Sequence, residues 1–245
     1  MAIPPPRADG HDDGMPGIVR ATFERVRTEV AAACARAGRD PGGVTIVGVT
    51  KYVGVAAAGA LLAAGCTDLA ESRPQALWDK AAALPRARWH LVGRLQRNKV
   101  RRTLPLVSLL HTLDSVRLLG AIEGEEGAGR VLEVLVEVNL DGDPRRAGVA
   151  PDGLGALLDA AAASARVRVR GLMGMASLSG GDGGADTARR QFAALRALRE
   201  RFAADHPGLV ELSMGMSGDF PEAILEGATI VRIGSALWEG LGAGA

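Results

Sequence analysis

The stretch VTIVGVTKYVGVAAAGALLAAGCTDLAE (44–71) decides the fold. It opens on VTIVGVT (44–50), a short apolar run rich in β-branched residues, as a buried strand requires. An alanine- and leucine-rich segment, VAAAGALLAAG (55–65), follows with helix-forming composition, and a second short run, TDLAE (67–71), closes the unit. Strand, helix and strand without a tight hairpin turn read as a parallel βαβ unit. The alternation continues through RWHLVG (88–93), LLHTLD (109–114), EVLVEVN (133–139), VRVRGLMGM (167–175), VELSMGM (210–216) and TIVRIG (229–234). Helical spacing or composition fills the gaps, as in QALWDKAAAL (75–84), RNKVRRTL (97–104), SVRLLGAIEG (115–124) and the long stretch 185–205. Eight such strands in about 250 residues match the size of a (β/α)8, or TIM, barrel. The sequence therefore predicts one α/β barrel domain over residues 18–245, with an additional N-terminal helix from Ile18 to Ala37 and a flexible tail over 1–17. A doubly wound sheet is the second arrangement, but no G-x-G-x-x-G follows the first strand.

Composition narrows the function. The 29 Lys and Arg residues nearly balance 28 Asp and Glu, and aromatics are 3%, which argues against a nucleic-acid binder or a base-stacking surface. Two cysteines, Cys34 and Cys66, lie in helical patterns and fit a cytoplasmic, reducing setting better than a disulfide framework. The N-terminal tail has no apolar core of a secretory signal, and no stretch reads as a membrane span. Only three residues are lysine, Lys51, Lys80 and Lys99, so chemistry that needs a side-chain amine has three candidates.

Lys51 ends the first apolar run. Desolvation at the top of a buried strand would lower its pKa and make its neutral amine a nucleophile toward a carbonyl. The alternative is a surface lysine at a strand end. Lys80, in mid-helix, is expected to be solvated, and Lys99 either assists the site or faces water. SMGMSGDF (213–220) and VRIGSA (231–236) put small residues, hydroxyls and backbone N–H groups after strands seven and eight, where barrels often bind phosphate. Arg232, between apolar neighbours, is costly unless it meets an anion or acceptor, either a structural carboxylate or a ligand. His90 is open between a core histidine and an acid–base or ligand role. The loop SLSGGDGGAD (177–186) reads as a solvated turn or a cover for the site, and Met173, Met175, Met214 and Met216 read as barrel core.

These stretches, with LAESRPQAL (69–77), RWHLVGRLQRNK (88–99), HTLDS (111–115), VEVN (136–139) and GLMGMAS (171–177), resemble the pyridoxal phosphate homeostasis protein family, the YggS/PROSC type. That family is similar to the isolated barrel domain of alanine racemase. The resemblance implies pyridoxal 5′-phosphate (PLP) as cofactor, held as an internal aldimine on Lys51. It implies Ser217, Gly234, Ser235 and the Met216 backbone at the phosphate and Arg232 at the pyridine nitrogen. Ser72 and His90 are taken as further cofactor-binding candidates. There are departures: Ser72 stands where the family usually has Asn, Arg94 where it has His, and Arg146 where it has Lys. In some members that lysine is linked to a second PLP interaction or to transfer, and arginine cannot form the aldimine.

The resemblance implies a carrier or reservoir of PLP, serving PLP-accepting apo-enzymes with little or no catalysis; the chain is expected to be a monomer. A PLP-dependent amino-acid racemase is the alternative, and a cofactor-free Schiff-base barrel the third. In the racemase family a second acid–base group is a tyrosine from a further β domain, and this sequence ends soon after strand eight. Its one tyrosine, Tyr52, is expected to point away from Lys51 if the strand continues.

Overall fold

The computed structural model describes residues 14–125, 130–177 and 184–242. Eight parallel strands close into a barrel in chain order, with the last pairing back onto the first. They are β1 (Thr45–Val49), β2 (Asp68–Glu71), β3 (Arg88–Leu91), β4 (Leu109–Leu113), β5 (Leu132–Glu137), β6 (Val167–Met173), β7 (Glu211–Ser213) and β8 (Ile230–Ile233). Every apolar run of the sequence became a strand, so the TIM barrel holds and the doubly wound alternative falls. Helices α2 (Val55–Ala63), α3 (Pro74–Ala83), α4 (Val100–Thr103), α5 (Val116–Glu123), α6 (Leu154–Ala162), α7 (Gly184–Phe202) and α8 (Phe220–Leu225) follow the strands in turn. No helix among the described residues is long and apolar enough to cross a membrane.

The additional helix α1 (Gly14–Arg36) starts four residues earlier than its apolar spacing predicted, so 14–17 are helical rather than tail; 1–13 lie outside the described residues. Val19, Phe23, Val26, Val30 and Cys34 face inward, whereas Ile18 is exposed and lies off that stripe. The helix is tied to the turn after β8: Thr22 Oγ1 donates to Leu237 O at 2.8 Å and Arg25 Nη2 to Ala236 O at 3.0 Å.

Two apolar layers hold the barrel. The outer one joins strands to helices; the inner one fills the lumen with Val47, Val49, Ala70, Leu109, Leu135, Met173 and Ile230. The lumen is also polar, since Asp68, His90, His111, Glu137, Ser213 and Arg232 are buried. Among the described residues every side-chain N or O atom fully shut off from solvent has a partner, as burial demands. In β6 the pairing with β5 skips Arg170, so Val134 faces Val169 and Leu135 faces Gly171. This bulge moves the strand's alternation by one residue and sends Met173 inward and Leu172 outward.

Candidate active site at the carboxyl end of the barrel

Lys51 lies two residues past the end of β1, the strand that pairs with β8. It is exposed, with Nζ 4.7 Å from the centroid of the Tyr52 ring. The burial expected at the top of the strand is therefore absent. Tyr52 also differs from expectation: the chain turns after Val49 instead of continuing extended, which brings the ring beside Lys51 rather than away from it.

The residue before Lys51 is held from below. Thr50 Oγ1 donates to Glu71 Oε1 at 2.7 Å, and Lys80 Nζ donates to Thr50 O at 2.7 Å and to Glu71 Oε1 at 2.5 Å. Lys80, expected to be solvated, is buried in this ion pair. Its helix stripe contained the signal: Leu77, Lys80 and Ala81 share the buried face at helical spacing.

Across the mouth, Ser217 Oγ accepts hydrogen bonds from the N–H groups of Gly234 (3.2 Å) and Ala236 (3.3 Å). Asp219 Oδ1 accepts from Met216 N at 2.6 Å, and Trp238 Nε1 donates to Val49 O at 2.9 Å, which ties the turn after β8 to β1. Gly215 has φ 91°, and a Cβ there would lie 2.6 Å from Ala223 Cβ, so only glycine lets this loop fold onto α8. Ser217, Met216 and Gly234 are half-buried and Ser235 is exposed, so the two loops read as phosphate sites lie side by side.

Arg232 projects into the lumen. Its Nη1 donates to Ser213 O (2.8 Å) and Ser213 Oγ (2.7 Å), and its Nη2 to Gly174 O (3.1 Å). Among the described residues no carboxylate pairs with it directly, so they offer it no structural ion pair. Burial pulls its pKa down to about 10, with Asp219 and Glu137 opposing, and the group stays a cation at neutral pH. Its Nε–H and one Nη2–H have no acceptor among the described residues.

His90 lies deeper. Its Nε2 is 3.0 Å from Asp68 Oδ1 and its Nδ1 is 2.9 Å from His111 Nε2, so both nitrogens are occupied and neither is open to a ligand. His111 and Asp68 lie in the quoted stretches HTLDS and TDLAE but were given no role in the sequence, because no sequence spacing links them to His90; only the barrel register, His90 beside Leu109, brings them together. Glu137, at the end of β5, was also missed. Burial and then Asp114 raise its carboxyl to about 7, against Arg232, Arg146 and Arg94.

Ser72 is half-buried, and its backbone N–H donates to Glu71 Oε2 at 3.3 Å. It lines a crevice of about 660 Å³ with Arg73, Arg94, Gln96 and the half-buried Lys99. Arg146 pairs with Asp141. The loop read as a possible cover falls largely on 178–183, outside the described residues.

The chain belongs to the alanine racemase N-terminal domain family, whose model matches residues 24–241, and within it to the pyridoxal phosphate homeostasis proteins. A pyridoxal phosphate homeostasis protein of Deinococcus radiodurans is 41% identical over 211 residues, 85% of this chain and 95% of that protein. One from Pseudomonas aeruginosa is 36% identical over 225 residues, 90% and 94% of the two chains. PipY of Synechococcus elongatus, solved with PLP bound, superposes with a TM-score of 0.77 at 32% identity, covering 89% of this chain and 99% of that one. Alanine racemase of Corynebacterium glutamicum, at 14% identity and TM-score 0.68, shares the fold; the chain spans 64% of its length.

Proposed function

We propose that the chain binds PLP at the carboxyl end of its barrel, with a Schiff base on Lys51, and acts as a carrier or reservoir in cellular PLP homeostasis. The names of its relatives and the PLP-bound PipY support the cofactor. PLP supplies an aldehyde that joins an amine as C=N with loss of one water, and a ring that withdraws electrons from what is attached. Lys51 supplies the amine: it is exposed, so it needs no rearrangement to meet an incoming aldehyde. Ser217, Gly234 and Ser235, with the Met216 backbone, hold the phosphate. Their chemistry fits, because the Ser217 hydroxyl and the N–H groups of Gly234 and Ala236 already meet at one point. Ser72 adds a hydroxyl where the family usually has an amide.

One observation carries the choice of carrier over racemase. The charged group fixed in the mouth at β8 is an arginine, and its free donors suit an unprotonated ring nitrogen. A ring held that way is a weak electron sink. The only tyrosine, Tyr52, lies beside Lys51 rather than opposite it, so it is not placed as a base for a second face. We place the protein in the cytoplasm as a monomer that hands PLP to apo-enzymes. Two buried, unpaired cysteines agree with a reducing compartment.

Titration with PLP is expected to give a yellow protein that borohydride bleaches, with the reduced label on the Lys51 peptide and none in Lys51→Ala. A protein that stays colourless at high PLP would overturn the assignment. Racemisation of amino acids by the loaded protein is expected to stay at background; robust turnover would replace the carrier by the racemase.

A further inference from the structure

The lumen contains a chain of hydrogen bonds whose direction is fixed by its ends. Arginine can only donate. Arg232 Nη1 reaches Ser213 Oγ at 2.7 Å, so that oxygen accepts, and its own proton is left for His111 Nδ1 at 2.9 Å. His111 Nδ1 is then an acceptor, and a neutral imidazole must carry its hydrogen on Nε2, which faces His90 Nδ1 at 2.9 Å. The same step repeats: His90 Nε2–H donates to Asp68 Oδ1 at 3.0 Å. An ionised carboxylate only accepts, and the chain ends there. The opposite direction would need a doubly protonated His90. It would also leave the Ser213 hydroxyl proton without an acceptor among the described residues, at a side chain with no solvent exposure.

We propose that Asp68, His90, His111 and Ser213 form a one-way hydrogen-bond relay, from the floor of the barrel to its mouth, that positions Arg232. The relay and Gly174 O take up three of the guanidinium's five N–H groups and leave Nε–H and one Nη2–H for a ligand. These four are positioning residues, and their role rests on the reading that Arg232 meets the ring nitrogen of PLP. The electrostatics agree. Burial, with the charge of Arg232 acting in the same sense, holds His111 well below the ordinary histidine range, so its ring stays neutral. Burial pushes the Asp68 carboxyl up, but hydrogen bonds from His90 and Thr67 outweigh this and it titrates below its usual value.

Nitrogen-15 NMR of the imidazoles tests the direction in the full-length protein without PLP, near neutral pH. His11→Gln and His206→Gln variants remove the other two histidine signals. Neutral rings with hydrogen on Nε2 are expected for both His90 and His111; hydrogen on Nδ1 of either ring, or a doubly protonated ring, overturns the relay. The positioning role is read from bound PLP. His111→Leu is expected to shift its absorbance maximum and weaken its binding about tenfold. His111→Gln keeps an acceptor and a donor at similar spacing and is expected to restore most of both. An unchanged spectrum and affinity in His111→Leu overturns the positioning role. If the wild type takes up no PLP, the cofactor reading fails, and the NMR result still decides the relay.

Discussion

Lys80 sits on the core face of α3 with its ammonium on the Glu71 carboxylate and the Thr50 carbonyl. Such a pair adds little over an apolar pair, but removing one partner strands the other charge in a low dielectric. Lys80→Met is therefore expected to cost about 3–5 kcal/mol in urea unfolding, and Glu71→Gln in the same chain to recover part of it. A loss within error for Lys80→Met would mean that Glu71 finds water. The sequence made Lys51 legible, because a lysine closing an apolar run stands out among so few. It concealed Lys80, because a lysine in a helix is usually solvated and only its spacing from Leu77 argues otherwise. His90 was visible as a strand histidine, but its role was not, since its partners Asp68 and His111 are distant in sequence and meet only across the barrel.

The strands were legible as elements because a parallel barrel buries both faces of each strand and writes an apolar run wherever one occurs. What no run announces is a change of parity within a strand. The bulge at Arg170 is such a case, and Gly171 beside it shows why the position is special: an added Cβ would fall 1.9 Å from Glu211 O on β7. That contact is with backbone, so β6 and β7 must separate to relieve it. Gly171→Ala is expected to destabilise the barrel by roughly 1–3 kcal/mol, with circular dichroism retained at low temperature and the thermal midpoint lowered. A midpoint equal to that of the wild type would mean that the two strands already breathe apart. The start of α1 was misplaced because Gly14 to Gly17 have no apolar periodicity to mark them.

The pH dependence of folding belongs to the molecule as a whole. At His111, the unfolded chain takes up a proton near the ordinary 6.5 while the folded chain resists, so stability is lost as pH falls through that value. At Glu137, raised from 4.5 to about 7, the folded chain holds a proton that the unfolded chain has released, and that contribution is lost as pH rises toward 7. Asp219, also raised by burial, acts in the same sense as Glu137 nearer its ordinary 3.8. Between 4.5 and 6.5 the two groups oppose each other, and wild-type stability is expected to be nearly level. Glu137→Gln removes one side, so urea unfolding at stepped pH is expected to reveal a fall of up to about 1.4 kcal/mol per pH unit on the acid side. A level profile in that variant would mean that the His111 ring is protonated in the folded chain. Finally, burial of Lys80 has a practical meaning for probe chemistry. With one of three lysines sealed in an ion pair, an amine-selective ester meets only Lys51 and Lys99 as side-chain targets in the native protein. Footprinting by mass spectrometry then reads two positions: Lys51 reports the barrel mouth, and Lys99 reports the crevice it shares with Ser72.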